Sequence, residues 1–145
     1  MALPDPHPGL VVCYAYLWES EALRGRDEGV KDRPCAIVTA QRRVRGRTIV
    51  TVVPVTHSPP ASPEEAIELP RALKAHLGLD DAPSWIVLSE VNEFVWPGPD
   101  LRAASRARPD EFAFGVLPPK FFARMRDRLI ELARERRVRK VARTE

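Results

Sequence analysis

Two apolar stretches, Pro34–Ala40 (PCAIVTA) and Arg47–Thr56 (RTIVTVVPVT), flank Gln41-Arg42-Arg43-Val44-Arg45-Gly46. Both are rich in β-branched residues, and the connector between them is short, polar and contains a glycine. This pattern predicts an antiparallel hairpin. In such a pair the start of one strand lies beside the finish of the other. Arg33, directly before the first run, and Thr56, at the end of the second, are therefore expected at one rim despite their separation in sequence.

Working outward, Ala2–Gly9 holds three prolines in five positions and reads as an extended leader. Leu10–Trp18 is an uninterrupted apolar run with Val, Tyr and Trp, predicted as a strand. Glu19–Lys31 is largely charged, carries two glycines and is predicted as a long loop, a length often tied to function. Beyond the hairpin, Ser58–Pro63 reads as a loop and Ala66–Leu69 as a short strand. Pro70–Leu77 reads as a short helix, with Pro at its favoured start and Gly78 as its stop. Ser84–Leu88 and Phe94–Trp96 are further strand candidates, and residues 100–111 read as charged and irregular. From Pro118 a single long helix is expected. Phe122, Met125, Leu129, Leu132 and Ala133 form its apolar stripe, and Arg124, Arg128, Glu131 and Glu135 its opposite face. Residues 134–145 read as a basic tail, either a solvated helix end or a segment that contacts phosphate or a partner. Four to six short strands before one long helix predict a mainly β fold, a small bent antiparallel sheet or barrel with helices attached.

The 145-residue length fits one domain over residues 1–145, large enough to fold without metal or disulfide. The longest apolar run is too short to cross a bilayer, and the first 23 residues contain no Lys or Arg. The expectation is a cytoplasmic protein with no membrane partner. Cys13 and Cys35 lie in apolar runs without Cys-x-x-Cys spacing and read as reduced core thiols. The basic side of the charge balance is 19 Arg against 4 Lys, with a net charge of +3. Such a bias fits an anionic partner such as nucleic acid, and equally a GC-rich genome.

The signatures of nucleotide-binding loops, zinc proteases and serine hydrolases are absent. His7 and His76 read as structural or exposed. One constellation remains: a guanidinium (Arg33), a hydroxyl (Thr56) and an imidazole (His57) at one rim, below a loop that carries Glu28 and Lys31. His57 can act as a base near neutral pH only if the strand has turned after Thr56, since strand neighbours face opposite ways. Tyr16 and Trp18 are candidates for base stacking, and as strand aromatics equally candidates for the core.

The segment from Gly25 to Val38, GRDEGVKDRPCAIV, resembles the signature of the MazF/PemK toxins of bacterial toxin–antitoxin systems, a Glu-containing loop followed by Arg-Pro and an apolar strand. Val53-Pro54-Val55-Thr56 resembles their second motif, and Ser84-Trp85-Ile86-Val87-Leu88-Ser89-Glu90 their third. The C-terminal helix matches as well, so the likeness spans residues 9–135. It implies an SH3-like barrel that forms a homodimer, and a metal-independent endoribonuclease without cofactor that cuts single-stranded RNA. It further implies Arg33 and Thr56 as catalytic residues and Glu28 as a site residue, with a small acidic antitoxin as partner. Lys31 and Ser58 are expected to contact substrate, and His57 to share in catalysis. The long loop and Lys31-Asp32 before Arg33 depart from the family pattern. The same barrel resembles CcdB, which traps DNA gyrase. A catalytically inactive nucleic-acid or protein-binding module is the third reading.

Overall fold

The computed structural model describes residues 3–25, 31–42, 44–105 and 110–143. In chain order its elements are β1 (Leu10–Tyr14), α1 (Glu19–Leu23), β2 (Arg33–Arg42), β3 (Thr48–Thr56), β4 (Ala66–Glu68), α2 (Arg71–His76), β5 (Trp85–Val87), β6 (Glu90–Val95), β7 (Ala113–Val116), α3 (Pro119–Arg134) and β8 (Arg139–Ala142). The fold is mainly β with one long C-terminal helix, as expected. The sheet follows the path β4-β5-β3-β2-β1-β7, with β6 joined to β3 and β8 to β6. Its path ends at β4 and β7, so it does not close.

The predicted hairpin forms. The antiparallel β2–β3 register runs from Cys35 opposite Pro54 to Arg42 opposite Thr48, with an irregularity between Ile37 and Thr39. Its tip turns through Arg45 and Gly46, both at φ +74°. Strand β3 then changes partner along its length. Ile49–Val52 pairs with β6, whereas Val55 and Thr56 pair with Ile86 and Trp85 of β5. Pro54, which has no N–H to give to a ladder, lies between the two partnerships.

This split lets the bent sheet bury both of its faces. Val12, Tyr14, Tyr16, Cys35, Ile37, Val50, Val52 and Phe94 form one core. Val11, Ala36, Val53, Val55, Ile86 and Leu88 face the other, where Met125 and Leu132 of α3 pack against them. Adjacent residues such as Val52 and Val53 are thus both fully buried. That is why these strands read as continuous apolar runs rather than as alternation. Burying Met125 completely contributes about 2 kcal/mol.

Several expectations need correction. Eight strands form among the described residues, not four to six. The polar stretch after Trp18 opens with helix α1, whose Glu21 carboxylate accepts a hydrogen bond from the Trp18 N–H at 3.1 Å. Strand β7 forms where the sequence predicts no strand, and it pairs with β1. The expected basic tail is no free helix end. It forms β8, which runs parallel to β6 and buries Val141, an exception to the antiparallel pattern. Two of its arginines are taken up structurally. Arg143 is buried against Asp100 at 2.8 Å, and Arg137 meets Glu64 and Glu65 at 2.9 Å. On α3, Met125 and Leu132 are buried and Phe122 and Leu129 partly so, but Ala133 is exposed. Both cysteines are free and buried, as expected. Among the described residues no helix is long and apolar enough to cross a membrane.

Candidate functional site

Arg33 is the first residue of β2 and Thr56 the last of β3, so the hairpin's antiparallel sense brings them to one rim. Continued by two residues, the register that sets Cys35 opposite Pro54 aligns Arg33 with Thr56. Both residues line two adjoining clefts. The first, of about 240 Å³, adds Lys31, His57, Lys74, Asp80 and Ser84. The second, of about 350 Å³, adds Trp18, Ser58, Pro59, Glu65 and Ser89.

Arg33 is anchored from below. Its backbone is paired with Tyr14 of β1, and its guanidinium carbon lies 5.1 Å from the centre of the Trp18 ring. Its Nε is buried and has no hydrogen-bond partner among the described residues. A buried cationic donor without an acceptor is costly, and an anionic ligand would satisfy it. Thr56 Oγ1 accepts a hydrogen bond from the Ser58 N–H at 3.2 Å. That contact leaves the hydroxyl proton free to donate elsewhere.

The chain has turned at His57, the condition its participation required: β3 ends at Thr56, and His57 is exposed beside the first cleft. Its Nε2 meets Asp80 Oδ2 at 2.9 Å. An ionised carboxylate only accepts, so this pairing puts a proton on Nε2, and in the neutral imidazole Nδ1 is then the atom that carries the lone pair. Asp80 is itself fixed by Lys74, whose Nζ donates to Oδ1 at 2.8 Å. The Lys74 bond first, then the His57 bond, holds the Asp80 carboxyl below the usual carboxylate range. Lys74 is 4% exposed and also donates to Ser84 Oγ at 2.7 Å and to the Ala82 carbonyl.

The structure thus brings together Arg33, Thr56, His57 and Lys31 around one cleft, and Ser58 joins Arg33 and Thr56 in the second. Glu28 lies outside the described residues. Of the two stacking candidates, Trp18 reaches the second cleft, but Tyr16 is fully buried and belongs to the core. Asp80 and Lys74 were not anticipated. The only signal was a lysine on a helix whose neighbours Leu73 and Leu77 point inward. Among the described residues no cluster of three His, Cys, Asp or Glu side chains is placed to hold a metal ion. No known family model matches the sequence, and no curated protein matches it.

Proposed function

We propose that the protein is a growth-inhibiting toxin that cuts single-stranded RNA at the rim shared by Arg33 and Thr56. The observation that carries this reading is the convergence, on the same two clefts, of Arg33, whose buried Nε has no hydrogen-bond partner among the described residues, and of the Thr56 hydroxyl, which can still donate. The resemblance to the MazF/PemK toxins supports it through the same two residues.

In the proposed reaction the RNA's own 2′-hydroxyl attacks the adjacent phosphorus. The bond from phosphorus to the 5′-oxygen breaks, leaving a 2′,3′-cyclic phosphate and a 5′-hydroxyl end. Arg33 neutralises charge that builds on the phosphoryl oxygens. Thr56 donates a hydrogen bond from its hydroxyl to one of those oxygens. His57, oriented by Asp80, takes the 2′-hydroxyl proton at Nδ1, and the departing 5′-oxygen takes a proton from water to become the 5′-hydroxyl. DNA lacks that hydroxyl and is spared. Homodimerisation and capture by an acidic antitoxin belong to the same proposal and rest on the resemblance.

The test is incubation of purified protein with a long unstructured RNA, and with DNA of the same sequence, in EDTA. RNA should yield fragments with 5′-hydroxyl ends while DNA stays whole. Intact RNA throughout would defeat the nuclease reading. Intact RNA together with binding to gyrase would favour the CcdB-like alternative.

A further inference from the structure

The two clefts at Arg33 continue into a third. The cleft that holds Trp18 shares Glu65 and Ser89 with a more polar one of about 320 Å³, lined also by Glu90, Arg136, Arg137 and Arg139. The surface therefore carries a row of adjoining clefts from Lys31, past Arg33 and Trp18, to the arginines that follow α3.

These arginines are not equivalent. Arg137 is fully engaged, with Nη2 on Glu64 and Glu65 at 2.9 Å and Nη1 on Glu135 at 3.1 Å. Arg136 is exposed, and its side chain has no hydrogen bond or ion pair among the described residues. Its backbone adopts φ +59°, a conformation that is strained for any residue with a side chain. Arg139 is 69% exposed, and its one ion pair among the described residues, to Glu19, is long at 3.8 Å. Its backbone N–H is tied to the Ser89 carbonyl at 2.9 Å, so the strand that carries it is fixed beside the cleft. The acidic residues are occupied. Glu65 meets Arg137, and Glu90 Oε1 accepts from Tyr16 Oη at 3.2 Å and from the Glu19 N–H at 3.0 Å. Among the described residues that line this cleft, Arg136 and Arg139 are left as the available cations.

We propose that this third cleft holds the sugar–phosphate backbone of a single-stranded polynucleotide, with Arg136 and Arg139 gripping phosphates that flank the one at Arg33 and Thr56. The proposal takes the scissile position from the nuclease reading, but the binding does not depend on it. A polynucleotide fits better than an acidic peptide because the row passes the guanidinium–indole stack of Arg33 and Trp18, a flat surface suited to bases.

The test is fluorescence anisotropy of the full chain with 2′-O-methyl oligoribonucleotides, which lack the attacking hydroxyl and so bind without being cut. Oligomers of about four and about twelve nucleotides are compared over a range of salt. The longer one should bind at least about tenfold more tightly, and Arg136→Ala/Arg139→Ala should abolish that gain while leaving the short oligomer within about twofold. The salt slope for the long oligomer should fall by about 1.4, the loss of two single-strand phosphate contacts. Arg126→Ala, which removes a cation outside these clefts, serves as control, and an unchanged melting temperature shows that the variants fold. The proposal is overturned if the wild type shows no length dependence or no binding, or if the double variant binds like the wild type. It is overturned also if polyglutamate binds as tightly through the same two arginines, which would mark an acidic-peptide site. Length-dependent binding without cleavage of ordinary RNA would keep the furrow and defeat the nuclease reading. Cleavage with no role for Arg136 and Arg139 in binding would do the reverse.

Discussion

Arg143 is the residue whose removal should cost the fold most. It follows β8 directly, its side chain is 1% exposed, and its Nη2 donates to Asp100 Oδ2 at 2.8 Å, where Asp100 is itself 9% exposed. Its Nη1 donates to the Ala15 carbonyl at 2.7 Å and to Asn92 Oδ1 at 3.1 Å. Its guanidinium also sits 5.2 Å from the Tyr14 ring centre. The side chain thereby ties the end of the chain to β1, β6 and the turn after β6. Removing one member of such a buried pair strands the other and costs about 3–5 kcal/mol. Since a domain of this kind is stable by about 5–15 kcal/mol in total, that is a large fraction. Arg143→Met and Asp100→Leu should each lower the urea midpoint by about 2 M, taking a slope near 2 kcal/mol per M. The double variant removes both charges together. Asn92 Oδ1 keeps its bond from the Leu17 N–H at 2.9 Å; the residual losses include the donor to the Ala15 carbonyl, about 1 kcal/mol, and the long, partly exposed Arg102–Asp100 pair at 3.8 Å, which is worth less. The double variant should therefore be more stable than either single variant. Single substitutions costing under about 1 kcal/mol, or a double variant that loses the sum of both, would refute the reasoning.

Three further outcomes follow from burial and charge. Burial raises the pKa of Glu90, so its contribution to stability is present at acid pH and is lost as pH rises through the folded value. Glu90→Gln should thus stabilise the protein slightly at neutral pH, with the gain vanishing on acidification, as read by denaturation at several pH values. Desolvation pushes the Cys13 thiol up to about 11 and the Cys35 thiol well above its ordinary value. Both should resist alkylation in the native protein at neutral pH and react once it is denatured, which mass spectrometry resolves. Lys74→Met should destabilise by about 2 kcal/mol in thermal or urea melts, because Ser84, Asp80 and the Ala82 carbonyl lose a buried donor.

The hairpin was legible in the sequence because Pro34–Ala40 and Arg47–Thr56 are dense in β-branched residues and bracket a glycine turn. From that pairing alone the meeting of Arg33 with Thr56 followed. Strand β8 was hidden because Arg139, Lys140 and Arg143 look like a solvated helix end. Asp100, Asn92 and the Ala15 carbonyl, all far away in sequence, help to make a buried arginine tolerable there. Strand β7 was hidden because Ala113-Phe114-Gly115-Val116 is short and holds a glycine, a weak strand signal whose pairing with β1 supplies what local preference lacks. Asp80 escaped notice for a related reason. Its link to His57 crosses 23 residues, and no spacing rule connects a loop carboxylate to the end of a strand. Trp18 was legible as an aromatic of interest, but its place beneath Arg33 depends on how β1 runs into α1.

The central claim is that Arg33 and Thr56 act on one phosphate, and single-turnover cleavage of a defined RNA measures this most directly. Arg33→Ala and Thr56→Ala should each slow cleavage by at least about a hundredfold, the range for losing one preorganised donor to a charged transition state. Because both act on the same group, the double variant should be slowed by less than the product of the two single effects. Wild-type rates in either single variant would contradict the account.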